Sequence, residues 1–591
     1  MNHKLIIVGC LSVATLFSCN DLDVPPMNII QDEDVFSTES GITAYMARMY
    51  SELPIEDFKF KITDGFEQDF PNPGSGICTG EYMLNRQHFI YDSPSGEWFQ
   101  AWNYSAVRNI NYFLQTFPSY EESYSEEQCD NFLGEAYFLR AFNYFAMVKR
   151  YGGIPIIKEV QNFPEQNLEE LQVPRNTEQE VYDFIAEDLN KAIELLPETS
   201  VSKGRVNKNV AYALLSRAML YAASIAQYGT IQLDGILGIP ASEAKRYYEL
   251  SYNASKALDG KYSLYNKYSD KFENYWQLFL DEESPENIFC KYYVYPEYAH
   301  NFDMWAIPFQ MRGAEGYGSG WLPTLDLVKM FDDVDGNSDW LKIGTNASPV
   351  RYEKRTDLFA KAEPRLRASV IFPGDEFKGE VIDVQQGLYE SYPDGKLHTS
   401  SEPTNIPLYN GVPVIGKSGM GANETTNTGF FVRKYQNPNL NNADVTYSKS
   451  TTPYIECRYA EILLNRAEAA YALGKKEDAL NCVNQIRERA GAKPYTTDQL
   501  DEKSIQKERR MELAFENHTY WDLRRWRIAD SEINNRKFKA LCPYYIYDEN
   551  KYIFKEEELS TPFTFQVKVY YQQIPTTEIA TNPNLVQNPG Y

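Results

Sequence analysis

Residues 456–490 read ECRYAEILLNRAEAAYALGKKEDALNCVNQIRERA, and this stretch decides the fold. Ala460, Leu463, Leu464, Ala467, Ala470 and Tyr471 recur at the i, i+3, i+4, i+7 spacing of one buried helix face. Gly474 follows the last turn, where a left-handed cap costs glycine least. Ala479, Val483, Ile486 and Ala490 repeat the pattern on a second helix, and the small residues at 467, 470 and 479 let the two backbones approach closely. The spacing therefore predicts a helix over 456–473 and another over 477–490.

An Ala-Leu-Gly turn between a small-residue helix and an Ala-x3-Val-x2-Ile helix is tetratricopeptide-like, although any antiparallel helix pair satisfies the same pattern. Working outward, residues 34–53, 97–117, 128–151, 178–196, 209–227 and 242–258 read as helices in the N-terminal half, with Gly152, Pro197 and Gly260 as breaks. The pair at 209–258 has the same small-residue character. Residues 501–517 and WDLRRW at 521–526 extend the helices after 490, and the chain from Lys551 reads as extended. From 261 to 452 helical periodicity fades, and Gly, Pro, Asn, Asp and Tyr dominate. So long an irregular stretch in a compact protein is uncommon and usually functional. The organisation expected is residues 1–18 as a signal, 19–260 helical, 261–452 loop-rich and ligand-binding, and 453–591 helical with a tail, all in one compact unit. The fold class is mostly α.

Composition narrows the function. The 591 residues carry a formal charge of −25, which argues against nucleic acid, whose binding rests on Lys and Arg neutralising phosphates. The 45 tyrosines outnumber 32 Phe and 8 Trp, and tyrosine suits wet binding surfaces. At the N-terminus, His3 and Lys4 precede an apolar run from Leu5 to Phe17, too short to span a membrane, and Leu16-Phe17-Ser18-Cys19 resembles a bacterial lipoprotein box. Cys19 is thus the expected lipidation site. Ile7-Val8-Gly9-Cys10 fits the same pattern, but its apolar run is too short for a signal. The other six cysteines, Cys78, Cys129, Cys290, Cys457, Cys482 and Cys542, form no C-x-x-C pair and read mostly as buried thiols. Cys457 and Cys482 fall about 15 Å apart along the folded hairpin, too far for a disulfide.

Several motifs carry no chemistry. Gly411 to Ser418 satisfies G-x4-G-K-S, yet no strand precedes it and no helix follows it to converge backbone amides on a phosphate. Asp333, Asp335, Asn337 and Asp339 alternate like calcium ligands, but Ser338 occupies the obligatory glycine position and the closing glutamate is missing. The five histidines make no H-E-x-x-H, and there is no G-x-S-x-G elbow. Acidic residues are too abundant for counting to exclude a glycosidase pair, and none is singled out. Glu508, Arg509, Arg510, Glu512, Asp522, Arg524 and Arg525 read as an ion-pair network docking the last helices. No metal or cofactor site is expected.

Eight segments in order resemble the SusD/RagB outer-membrane nutrient-binding lipoproteins: CNDLDVPP after the lipobox, FLRAFNYFAMVKRYGGIPII, GYGSGWLPTLDLVKMFDDVDG, AEPRLRASVIFPG, TGFFVRKY, PYIECRYAEILLNRAEAAYALG, ERRMELAFENHTYWDLRRW, and the terminal IPTTEIATNPNLVQNPGY. They cover nearly the whole chain. The resemblance implies a scaffold of tetratricopeptide-like helix pairs and a loop-built ligand site. It implies a lipid anchor exposing the protein on the outer-membrane surface, since acidic residues such as Asp21 and Asp23 after the lipidated cysteine mark surface export in such lipoproteins. It further implies a SusC-like TonB-dependent transporter as partner, and uptake of oligosaccharides, or of peptides in the RagB branch, without catalysis. A secreted hydrolase is a further alternative.

Within the loop-rich region the aromatic residues are the candidate ligand contacts: Trp276, Tyr292, Tyr298, Trp305, Tyr317 and Trp321. Sugar rings stack C–H faces on aromatic planes, while their hydroxyls need amides, acids and arginine nearby. Gly316 to Trp321, GYGSGW, sets two aromatics in a glycine-rich loop. Trp98 lies in a segment that contributes to the site in some members of the family. Asp69, Asn103 and Arg312 are the expected polar partners. Each aromatic can equally be a core residue or a partner contact.

Overall fold

The computed structural model describes residues 32–58, 83–84 (backbone), 100–162, 165–420, 425–559, 562–563 and 565–591. The main described helices of the N-terminal half are α1 (Asp32–Phe36), α2 (Glu39–Ser51), α3 (Tyr104–Thr116), α4 (Glu126–Tyr151), α5 (Glu178–Leu195), α6 (Lys208–Tyr228) and α7 (Ala244–Lys256). Their ends follow local chemistry. Ser125 with Gln128 and Thr177 with Glu180 form capping boxes that satisfy the first amides of α4 and α5. Gly152, at φ +74°, stops α4. Thr38 caps α2, so the helix predicted over 34–53 is broken at Ser37–Thr38. The helix predicted from 97 starts at Tyr104, because Asn103 is its cap.

The scaffold is continuous in space though not in sequence. Consecutive helices α4 to α7 pack as neighbours, and α7 then packs against α8 (Tyr459–Ala472), which pairs with α9 (Lys476–Ala490). Gly474, at φ +77°, makes the turn between them. The array is a tetratricopeptide-like stack, mostly α as predicted, with about 200 residues inserted between α7 and α8. Residues 456–458, predicted as helix, instead belong to a strand. That strand (Tyr454–Arg458) pairs antiparallel with β1 (Asn287–Lys291). Four of its five residues are buried, so it carries no alternation to set it apart from the helical periodicity that starts one residue later. This pairing closes the inserted region near its two ends.

The insertion has its own core, with Trp305, Leu322, Leu366, Ile371, Phe431 and others completely or almost completely buried. The C-terminal segment completes it. Helices α10 (Glu502–Glu512) and α11 (Thr519–Arg525) lead to a hairpin of Lys539–Ile546 and Lys551–Glu558, which continues through Gly387–Tyr389 to Leu397–His398 as a four-stranded sheet. The hairpin shares Leu541, Ile546, Ile553 and Phe554 with the insertion core. Residues 551–558 are extended as predicted. The tail that follows contains a short helix, Thr576–Thr581.

Between scaffold and insertion lies a buried ion network. Arg458 reaches Glu286, Glu512 and Glu516, each at 2.7 Å. Arg365 reaches Glu363 at 2.8 Å, Glu508 at 2.7 Å and Glu512 at 2.8 Å. Arg489 meets Glu286 at 2.7 Å and also pairs with Glu512, while Arg487 meets Glu508 at 2.6 Å. Arg509 and Arg525 bracket Asp522, both at 2.8 Å. Of the cluster predicted over 508–525, Glu508, Arg509, Glu512, Asp522 and Arg525 belong to this network, whereas Arg510 pairs with Glu532 and Arg524 lies over the Tyr520 ring. Among the described cysteines, Cys129, Cys290, Cys457, Cys482 and Cys542 are buried and free, and burial pushes the Cys290 and Cys482 thiols up to about 12. Cys78 lies outside the described residues, as do Cys10 and Cys19.

Burial alone would raise the Glu512 carboxyl, but Arg489, Arg458 and Arg365 outweigh it and hold the group down to about 2. A depressed carboxylate stabilises the fold above its unfolded value and loses that contribution as pH falls toward its folded value. Stability measured by denaturant titration is therefore expected to decline as pH drops from about 4.5 toward 2. Glu512→Ala at neutral pH leaves three buried guanidinium groups undercompensated, and the same titration should show a loss of about 3–5 kcal/mol.

Candidate functional site

The predicted aromatic loop is assembled on a rigid corner. His300 accepts the Phe302 amide on Nδ1 at 3.2 Å, so Nε2 carries the proton donated to the Thr452 carbonyl at 2.9 Å. That lock sets the start of a short helix, Phe302–Ala306. Asp303 anchors its other side: its carboxylate accepts the Asn437 amide at 2.7 Å, and its own amide donates to the Ser450 hydroxyl at 3.0 Å. Segments 437 and 450 are thereby fastened to the helix that carries Trp305.

The glycine-rich loop folds back onto this helix. Ser319 N donates to the Ile307 carbonyl at 2.9 Å, and Gly320 N to the Trp305 carbonyl at 2.7 Å. Gly318 has to be glycine here, since a Cβ would lie 2.8 Å from the Ile307 carbonyl oxygen. The return places Tyr317 against Trp305, with ring centroids 4.6 Å apart, and Tyr447 against Tyr317 at 5.6 Å. Arg312 lies 3.7 Å over the Phe309 ring and donates to the Gly316 carbonyl at 2.5 Å. Trp321 stands edge-on to Phe302 at 4.8 Å and is half-buried; its indole N–H has no hydrogen-bond partner among the described residues.

A second strip adjoins by chain. Tyr298 stacks on Tyr293 at 5.4 Å, nearly parallel, while Lys449 sits 4.1 Å over Tyr295 and 2.8 Å from its hydroxyl. Tyr295, Tyr298 and Tyr447 are 51%, 37% and 36% exposed, high values for large rings. Trp305, expected as a ligand contact, is only 3% exposed and instead belongs to the core that backs the shelf from below. Exposed aromatic faces over a packed aromatic layer, ringed by Lys449, Arg312, Glu315 and Asn301, can stack a ring and hydrogen-bond its substituents. Tyr447, Lys449 and Glu315 were missed by sequence reasoning; the Asn- and Ser-rich stretch around 447 carries no periodicity to mark it.

The other predicted residues lie elsewhere. Trp276 is buried against Phe272, Phe377 and Arg433. Tyr292 follows β1 next to Tyr293, and Lys203 covers its ring at 4.5 Å. Asn103 caps α3 by accepting the Ala106 amide at 3.2 Å, and is buried. Asp69 and Trp98 lie outside the described residues. Asp333 closes a local turn by accepting the Asp335 and Asn337 amides, and among the described residues no group of three or more His, Cys, Asp or Glu side chains is placed to hold a metal. In the phosphate-loop look-alike, a two-residue-strand hairpin precedes Gly416, and the Ser418 hydroxyl is engaged by Gln310.

The SusD family sequence profile matches residues 248–591, more than half the chain. The chain belongs to the SusD family. A second profile, described as starch-binding associating with outer membrane, matches residues 22–220. SusD-like protein P2 of Formosa agariphila is 23% identical over the whole of both chains, and a SusD-like protein of Bacteroides ovatus is 24% identical over 89% of this chain and 83% of its own. A SusD-like protein structure from Bacteroides fragilis superposes with a TM-score of 0.69 at 26% identity, covering 95% of this chain and 99% of that one. A laminarin-binding SusD-like protein superposes at 0.58 with 19% identity, covering 94% and 100%. The SusD fold is thus shared along nearly the whole length.

Burial raises the Asp303 carboxyl to about 6, against which the Asn437 amide and Ser450 hydroxyl pull only partly. A raised carboxyl stabilises the fold most below its unfolded value and loses that contribution as pH rises through its folded value. Asp303→Asn keeps an acceptor for Asn437 and removes the buried charge. Thermal melts are expected to show the variant stabilised by about 1–3 kcal/mol at pH 8 and little changed at pH 4. Asn103→Ala should cost about 1 kcal/mol of stability through the lost cap.

Proposed function

We propose that this SusD-family chain is a cell-surface lipoprotein, anchored to the outer membrane through Cys19, that binds oligosaccharides and delivers them to a SusC-like TonB-dependent transporter for import. The observation that carries the ligand half of this reading is the aromatic shelf of Tyr317 and Tyr447, backed by the buried Trp305, with Trp321, Tyr298 and Arg312 beside it. Laminarin binding by a SusD-like neighbour and the starch-binding description of the second profile support a glycan over other ligands. Trp98 belongs to the proposed contact set on the family resemblance. The role in this reading is binding without catalysis, as the family resemblance implies.

Calorimetry against a panel of neutral oligosaccharides and a panel of short peptides tests the ligand class. Heat from glycans is expected; heat from peptides alone would overturn the sugar reading, and cleavage products after incubation would overturn the non-catalytic one. Tyr317→Ala and Trp321→Ala each remove one stacking surface and should weaken glycan binding about ten-fold, with the far-ultraviolet dichroism spectrum unchanged. Cys19→Ala should move the protein from the membrane fraction to the soluble one.

A further inference from the structure

A groove of about 620 Å³ opens on the scaffold between residues 156–161, residues 166–173 and the outer face of α5, a different surface from the aromatic shelf. Its floor is apolar: Ile156, Ile157, Val160, Val173 and Phe184. Its rim is acidic, with Glu159, Glu170, Glu180, Asp183 and Glu187 against the single cation Lys158. Asp183 is engaged by Arg246 at 2.9 Å, Glu180 caps Thr177, and Glu187 shares Lys158 at 3.2 Å. Glu159 and Glu170 have no ion-pair partner among the described residues. The volume is that of a ligand site, and the charge selects a cation-bearing occupant.

The backbone beside the groove narrows the occupant further. Residues 154–158 run without helix or turn. Ile157 turns both polar groups inward, its amide to the Tyr144 hydroxyl at 2.7 Å and its carbonyl to the Asn111 amide group at 2.9 Å. On the other edge Asn176 acts as a neighbouring strand would, donating to the Ile154 carbonyl at 3.2 Å and accepting the Ile156 amide at 2.9 Å. Past Asn176 the same edge continues with the Ile156 carbonyl and the Lys158 amide and carbonyl, which have no backbone or side-chain partner among the described residues. An open strand edge beside an apolar floor is a template for strand addition.

We propose that this groove docks an extended, Lys- or Arg-bearing segment of a partner protein, which adds along the 156–158 edge and sets its cations against Glu159, Glu170 and Glu187. The full chain is titrated, by fluorescence anisotropy, with a labelled decapeptide alternating lysine and valine. Combined Glu170→Lys and Glu187→Lys should weaken binding about ten-fold, whereas Glu477→Lys with Glu488→Lys, an equal charge change on α9, should alter it about two-fold or less. Hydrogen exchange should slow at the Lys158 amide when the decapeptide binds. Equal weakening by both double variants, equally tight binding of a glutamate–valine decapeptide, or unchanged exchange over 154–158 would each overturn the proposal. Glycan binding at the shelf is expected to be the same in both double variants, which separates failure here from failure of the glycan reading.

Discussion

The pairing of Arg458 with Glu286, Glu512 and Glu516 is the interaction on which the rest of the structure depends. Arg458 is the last residue of the strand that closes the insertion and the residue immediately before α8. Its partners come from the entrance to β1 and from the end of α10 and the turn after it. One guanidinium therefore ties the insertion, the scaffold and the C-terminal helices to a single point. Taking such charges out of water costs several kcal/mol per ion, and only dense mutual pairing offsets it. The network answers that cost by sharing: Glu512 serves Arg458, Arg365 and Arg489, and Glu286 serves Arg458 and Arg489. A hydrophobic replacement could be equally stable, but it would not fix the register, because apolar contacts lack direction.

That register is what an insertion of this kind needs. Most of its strands are two or three residues long, so ladder hydrogen bonds alone hold little of it in place. Position comes instead from side chains that reach into the fixed frame. Lys434 is buried and donates to the Ala514 carbonyl and to Glu516, both at 2.7 Å; burial lowers its ammonium to about 8 even so. Two residues on, Gln436 and Asn437 fasten to the 302–306 helix through the Ala306 carbonyl and Asp303. The path from network to aromatic shelf is thus a short run of buried polar anchors along one segment, 433–437.

The sequence revealed the parts of this that repeat. The helix pair expected over 456–473 and 477–490 and the charged run at 508–525 each carry a periodic or local signal, and both stand close to where that signal put them, with the first helix starting at Tyr459. The strand at 454–458 was misread because its nearly continuous burial shows no alternation and runs straight into the helical spacing of Tyr459 onward. The hairpin at 539–558 was half seen, since Cys542 and Tyr544 on one face and Leu541 and Pro543 on the other are all buried, leaving no alternation to read. Aromatic density picked out Trp276, Trp305, Tyr317 and Trp321 alike, but it could not tell the buried Trp276 and Trp305 from the partly exposed Tyr317 and Trp321, because surface rings and core fillers use the same side chains. Asn103 was chosen for its amide, which a helix cap claims first.

The difference between Trp276 and Tyr317 is one of backbone, not of side chain. Trp276 sits on a seven-residue helix whose apolar face must turn inward, so its ring is surrounded by Phe272, Phe377 and Arg433. Tyr317 sits between two glycines at positive φ, Gly316 and Gly318, in a loop held at Ile307 and Trp305 by backbone hydrogen bonds and at the Gly316 carbonyl by Arg312. The buried Ser319 and the backbone hydrogen bonds hold the loop's shape, and the Tyr317 ring stays only partly covered where it lies on Trp305. An aromatic flanked by left-handed glycines in such a loop is therefore better evidence of a binding surface than aromatic density is, because the loop's stability does not require the ring to be covered.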